Sequence, residues 1–221
     1  MIKEKLKKYK LIRILVDNLH FQNKRNAALN ENGYIVLKQI SEVFQQNKIV
    51  HFPDFGTLLG LVREGKLLGH DCDIDFGILN AGEEEKKIIQ RVVGELGYKR
   101  TEHYCVDGII REESYKKGDN SFDVFYYEKD SKGYHCYIFC RIDHVKYKNK
   151  YEASAGMYKY PMDIIPELQT IHDIELPIPQ NAEKLLEMKY GKNWRIPNKH
   201  WHYWFDANVE NTGKIAQWYD S

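Results

Sequence analysis

The chain has 221 residues, with 33 Lys and Arg against 32 Asp and Glu, and so a formal charge of +1. That length suits one sizeable domain or a core with a small appended lobe, and 43% hydrophobic with 29% charged residues is ordinary soluble globular composition. Near-neutrality argues against a general nucleic-acid binder, which needs a basic stripe for phosphates, and no run approaches the ~18–20 apolar residues that cross a bilayer.

Residues 1–10 carry five lysines but lack the apolar stretch and cleavage site of a signal peptide. They open a predicted amphipathic helix over 1–19, with Leu11, Ile12, Ile14 and Leu15 as its apolar side. The lysines read as a solvated face, with peripheral contact to an anionic membrane surface as the alternative. Residues 21–33, rich in Asn and Gln, read as a polar connection, and 34–46 as a second helix with Ile35, Leu37, Ile40, Val43 and Phe44 roughly on one face. A short strand over 49–52 leads through Pro53-Asp54-Phe55-Gly56 into a helix over 57–62, with Thr57 as its N-cap.

Period-two alternation predicts a strand over 71–78, and 83–95 reads as a helix that opens on acids and stops near Gly97. Residues 98–151 break into short Tyr-, Val-, Ile- and Phe-rich segments bounded by Gly and Asp, hence strands of the same sheet. A helix follows over 182–189. The expected class is α+β, a mixed β-sheet flanked by helices. Its catalytic domain spans 34–200, preceded by the helix and connection of 1–33 and followed by an aromatic tail, 201–221, packed on it.

Four cysteines without a secretion signal suggest free thiols in a reducing cytosol. Cys136, Cys140 and His144 have a spacing that would align zinc ligands on a helix, but 134–142 is β-like, so buried thiols are the better reading. The aromatics Trp201, Tyr203, Trp204, Phe205 and Trp218 read as a terminal helix packed on the domain. A cage for a quaternary ammonium is the alternative.

Chemistry concentrates in Gly56 to Arg63 and in Asp71-Cys72-Asp73-Ile74-Asp75. On a strand, Asp71, Asp73 and Asp75 share one face. Stacked carboxylates repel one another unless water solvates them or a cation neutralises them, and Mg²⁺ suits such hard oxygen donors. Asp123 stands alone among the apolar residues of Ser121 to Tyr126. It is either a strand-edge acid in solvent or, if its strand lies beside 71–78, a third ligand with Asp73 and Asp75. Gly56 before Thr57 at a helix start lets backbone approach a phosphate, a weak signal by itself.

Together these stretches resemble the LicD family, which includes fukutin-type proteins, and so a nucleotidyltransferase-like fold. Further similarity lies in Phe122-Asp123-Val124-Phe125, in Asp163 to Pro166, in Leu176 to Pro179, and in 182–197 with Lys189-Tyr190-Gly191 and Trp194. The chain departs from the family pattern at His70 and Cys72, and 1–33 has no clear counterpart. The resemblance implies a phosphotransferase that moves phosphocholine, glycerol phosphate or ribitol phosphate from a CDP-linked donor to a hydroxyl. The acceptor would be a cell-surface glycan or its lipid-linked precursor, in polysaccharide biosynthesis such as lipopolysaccharide or teichoic acid modification. It implies Asp73, Asp75 and Asp123 as catalytic metal ligands, for one Mg²⁺ or two, with Mn²⁺ able to substitute. Asp123 would also take the acceptor proton. Gly56 and Thr57 would contact phosphate, Asp71 would line the substrate site, and Arg63 and Lys66 would add positive charge. The expected partners exclude nucleic acid, and the expected location is cytoplasmic or peripheral at the inner membrane face. The competing readings are nucleotidyl transfer from an NTP and a non-catalytic binding module.

Overall fold

A computed structural model describes residues 2–198 and 200–220, with side chains from residue 22 onward. The chain runs α1 (Ile2–Gln46), β1 (His51–Pro53), α2 (Phe55–Glu64), β2 (Ile74–Leu79), α3 (Glu83–Glu95), β3 (Lys99–Val106), β4 (Ile109–Lys117) and β5 (Asn120–Asp130). It continues β6 (Gly133–Cys140), β7 (Glu152–Tyr160), β8 (Pro166–Ile171), β9 (Ile174–Pro179), α4 (Ala182–Tyr190) and β10 (Glu210–Asp220).

Eight strands form one sheet in the order β1-β2-β5-β4-β3-β10-β7-β6, and β5 also pairs with β6, so the sheet closes on itself. The closure is made along one strand. β5 pairs with β4 over its first half and with β6 from Tyr127 to Asp130, while β2 runs parallel along its other edge. The expected α+β fold with a mixed sheet and flanking helices is what the chain adopts.

All six residues of β2 are buried, which suits a strand covered on both faces. On one side the stripe Val36, Leu37, Ile40 and Phe44 of α1 and Ile89, Val92 and Val93 of α3 pack against Phe76, Phe122 and Val124. Inside the ring, Val106, Tyr137 and Phe139 meet the small residues Ala153, Ala155 and Ala216, which leave room for it to close. His51 is buried beneath α1. Its Nδ1–H donates to the Ile49 carbonyl, so its Nε2 accepts from the Ser41 hydroxyl at 2.9 Å.

Four local expectations are corrected. Residues 21–33 are helix, continuous with the rest of α1. Their polar side chains make tertiary contacts from that helix: Asn26 Nδ2 donates to the carbonyls of Gly69 and Asp71, both at 2.8 Å. The predicted apolar side and lysine face of 1–19 lie among side chains outside those described. Thr57 is not the N-cap of α2; Asp54 holds that place and Thr57 sits in the first turn. β2 begins only at Ile74, so Asp71 and Asp73 lie in the approach to the strand, off its alternation. The aromatic tail is no helix: after turns at 203–207 it becomes β10, between β3 and β7.

Candidate active site

Helix α2 points its first turn at the end of the sheet that bears the acids. Gly56 lets the Asp71 carboxylate come close: a Cβ at this position would stand 2.2 Å from Asp71 Oδ2, so that side chain would have to move aside. Gly60, one turn on, lets the 66–68 backbone cross closely; a Cβ there would lie 2.6 Å from the Lys66 carbonyl oxygen. Thr57 Oγ1 accepts a 2.9 Å hydrogen bond from the Asp75 amide, and the Asp54 amide donates to the Asp75 carbonyl at 2.9 Å. The helix start and the acidic strand are therefore tied together by one side-chain and one backbone hydrogen bond.

Beneath that turn, Asp54 is fully buried with Lys189 of α4, whose Nζ lies 2.5 Å from Asp54 Oδ1. Tyr127 Oη donates to Asp54 Oδ2 at 2.6 Å, and the Lys189 ammonium sits 3.5 Å from the centre of the Phe55 ring. A buried ion pair persists only when its remaining donors and lone pairs are satisfied, and this one is.

Asp75 and Asp123 are direct cross-strand partners on parallel β2 and β5, and so on one face of the sheet. Asp73, just before β2, turns instead to Arg25 of α1, whose guanidinium lies 2.6 Å from Asp73 Oδ2 and 2.8 Å from Ser121 Oγ. Burial raises the pKa of Asp75 and Asp73. Asp73 and Asp71 push Asp75 up further, whereas Arg25 partly offsets the effect on Asp73. Asp71 and Asp123 are pushed up to about 7, by burial first and by the Asp73 charge second.

Among the described residues no three His, Cys, Asp or Glu side chains stand close enough to share an ion as placed. The donor chemistry nonetheless fits a hard divalent cation: carboxylate oxygens crowded into mutual repulsion, with Arg25 the cation bonded to Asp73.

The site opens into a cavity of about 1580 Å³ lined by Gly56, Arg63, Asp71, Asp75, Tyr104, Glu112, Phe139 and Tyr203, whereas Asp73 and Asp123 do not line it. Arg63 pairs with Glu64 at 2.7 Å. Lys66 is exposed and does not line the cavity. Tyr190 and Trp194 do line it, as do His200 and Trp201 of the tail. Sequence reasoning missed Arg25, the Asp54–Lys189 pair and Glu112. Glu112 pairs with Phe125 and Tyr104 across its two neighbouring strands, which puts it on the same face as Asp75 and Asp123. Burial raises its pKa well above the usual carboxylate range, with Asp123, Glu102 and Asp73 adding to the rise.

Residues 48–181 match the family described as LicD/FKTN/FKRP, nucleotidyltransferase domain. The chain belongs to the LicD family. An uncharacterized protein of Rickettsia typhi (strain ATCC VR-144 / Wilmington) is 30% identical over 97 residues, 44% of this chain and 29% of that protein. The chain thus spans less than a third of that curated relative's length. Among solved structures, the crystal structure of ANT(2″)-Ia in complex with adenylyl-2″-tobramycin aligns at a TM-score of 0.36 and 17% identity, covering 45% of this chain and 52% of that one. The LicD match holds Gly56, Asp71, Asp73, Asp75, Glu112 and Asp123. Arg25, Lys189, Trp201 and Tyr203 reach the same region from outside it.

Proposed function

We propose that this LicD domain moves a substituted phosphate (phosphocholine, or glycerol or ribitol phosphate) from a CDP-linked donor to a hydroxyl of a cell-surface glycan or its lipid-linked precursor. The observation that carries this reading is the side-by-side placement of Asp75 and Asp123 on adjacent strands, with Asp75 lining a cavity that Gly56 also lines. Membership of the LicD family supports it.

In this reading the amides at the start of α2, ten residues long, face the donor phosphates, and Gly56 keeps that approach open. Thr57 Oγ1 already accepts from the Asp75 amide and keeps its own proton to donate. Arg63 lines the cavity and adds positive charge. Asp73, Asp75 and Asp123 would hold Mg²⁺, or Mn²⁺ in its place, which supplies charge neutralisation on the diphosphate and the departing CMP. The acceptor oxygen forms its bond to the β-phosphorus as the bond to CMP breaks, and Asp123 receives the acceptor proton. No described helix is long and apolar enough to cross a membrane.

The test is CMP release from CDP-choline, CDP-glycerol and CDP-ribitol with Mg²⁺, by wild type, Asp73→Asn and Asp75→Asn. Each variant should lose at least about a hundredfold in kcat, the scale of removing one preorganised electrostatic group. Turnover by Asp73→Asn within tenfold of wild type would refute the assignment. Pyrophosphate release from an NTP, with no CMP from any CDP-alcohol, would reassign the domain to nucleotidyl transfer.

A further inference from the structure

The turn that leads β1 into α2 is built against local preference. Asp54 stands at the N-cap, where a carboxylate ordinarily accepts from the second or third amide of its helix, here Gly56 or Thr57. It makes no such bond. Its oxygens are committed inward, Oδ1 to the Lys189 ammonium at 2.5 Å and Oδ2 to the Tyr127 hydroxyl at 2.6 Å. Lys189 Nζ also lies 3.2 Å from Tyr127 Oη. The next residue, Phe55, takes φ +39°, a left-handed conformation that a bulky side chain rarely adopts. Its ring meets the Lys189 ammonium at 3.5 Å from its centre and the Phe125 ring at 4.4 Å between centroids. One lysine therefore holds both unusual residues.

Stability does not account for this arrangement. A buried ion pair is often replaceable by packed apolar groups without loss, and a withheld cap forgoes helix stabilisation. Strained backbone persists only where its surroundings over-determine it, and it clusters at functional sites. What the arrangement leaves is a row of amides ahead of the helical ladder. That ladder starts with the Leu58 amide on the Asp54 carbonyl at 2.9 Å, so the amides of residues 55–57 precede it. Phe55 and Gly56 line the cavity. An Asp54 carboxylate turned to those amides would put negative charge where an anionic ligand is to sit.

We propose that Lys189 and Tyr127 are positioning residues for phosphate. They hold Asp54 inward, Lys189 also holds Phe55 in its strained turn, and the Gly56 and Thr57 amides stay open to the donor diphosphate. This rests on the phosphotransferase reading above and goes beyond it by giving α4 a part in donor binding. Both side chains are buried and neither lines the cavity, so they act through Asp54 and Phe55. Lys189 lies outside the family-matched segment.

The experiment uses the full chain, as wild type, Lys189→Met/Asp54→Ser and Tyr127→Phe. The double variant removes both buried charges and offers α2 a short hydroxyl cap; Tyr127→Phe leaves Asp54 Oδ2 without its donor. Amide resonances of Gly56 and Thr57 are titrated with inorganic pyrophosphate and Mg²⁺, and KM and kcat are measured with the CDP-alcohols. A merely structural role would lower the midpoint of the double variant and leave its folded form with wild-type pyrophosphate affinity. A positioning role predicts about tenfold weaker pyrophosphate binding there, the scale of a lost hydrogen bond to a charged group. It also predicts slower hydrogen exchange at Gly56 or Thr57, and a KM that rises more than kcat falls. Tyr127→Phe should move the same way by less. Pyrophosphate affinity within about threefold of wild type in the double variant would overturn the proposal. Should that variant not fold, unchanged affinity in Tyr127→Phe would overturn it.

Pyrophosphate keeps the two readings separable. Suppose wild type turns over no CDP-alcohol, while pyrophosphate moves the Gly56 amide in wild type and binds more weakly in the variants. The phosphotransferase reading then falls and the positioning role stands. No response of either amide in wild type overturns the positioning role.

Discussion

Replacing Arg25 by methionine keeps an apolar stem and deletes the guanidinium that holds Asp73 Oδ2 at 2.6 Å and Ser121 Oγ at 2.8 Å. Hydrogen bonds to charged groups contribute about 1.5–3 kcal/mol each where they are desolvated. The two side chains remain 19% and 22% exposed, so solvent screens part of this. Asp73 can also take up a proton once its partner is gone, which limits the cost further. The expected loss is about 2 kcal/mol, a fall in Tm of roughly 4–8 °C for a chain this size. Added Mg²⁺ should then raise the variant's midpoint by more than it raises wild type's, since a divalent cation restores the lost counter-charge. Arg25→Lys should fall between the two. Calorimetry with and without millimolar Mg²⁺ measures this. A midpoint for Arg25→Met within 1 °C of wild type, to a rough reading of the same scale, or an identical Mg²⁺ shift in both, would show that Arg25 does not neutralise the acidic site.

Three further outcomes follow from the geometry. His51 is buried neutral, its pKa lowered from 6.5 to about 4, chiefly by burial. The unfolded chain therefore binds the extra proton first, and stability present above pH 6.5 is lost as the pH falls toward 4, by about 3 kcal/mol at most. Urea unfolding of His51→Asn should show a flatter slope than wild type across that window, and parallel curves would remove His51 as the cause. Lys189→Met leaves Asp54 buried without its cation and should cost about 3–5 kcal/mol; adding Asp54→Asn should recover most of it, and a double variant no better than the single would contradict the ion-pair account. Gly56→Ala drives a methyl group into the Asp71 carboxylate, a 2.2 Å approach. It should fold with a loss of about 1–3 kcal/mol and lose CMP release at least tenfold, whereas near-normal turnover would show that the Gly56–Asp71 approach is dispensable.

Much of this site could be read from residue order, because its signals are local. Gly56 before a helix and an aspartate on each of two apolar strand segments survive without tertiary knowledge, and β2 and β5 do lie side by side with Asp75 opposite Asp123. What failed were elements whose character is set by distant partners. The Asn- and Gln-rich stretch 21–33 looks like a connection because its polar groups compete with helix formation in isolation. In the fold Asn26 and Arg25 spend those groups on Gly69, Asp71 and Asp73. The tail around Trp218 pairs its apolar residues (Ile215-Ala216, Trp218-Tyr219) instead of alternating them, and it is a strand because it fills the gap between β3 and β7. Glu112 and Glu113 are adjacent and alike in sequence; the register sends Glu112 to the cavity and Glu113 to Arg100 and Gln90. Lys189 and Asp54 are 135 positions apart, too far for any motif to couple them.

The reach of α1 has a practical consequence for dissecting this protein. An excised fragment covering 48–181 would keep the acids and the glycine turn but shed Arg25, which balances Asp73, and Lys189, which balances Asp54. Two negative groups would lose their opposites at once, and the trimmed piece would carry its chemistry on an unsupported frame. The flanks are structural members of the working unit, and homology boundaries are a poor guide to where it can be cut.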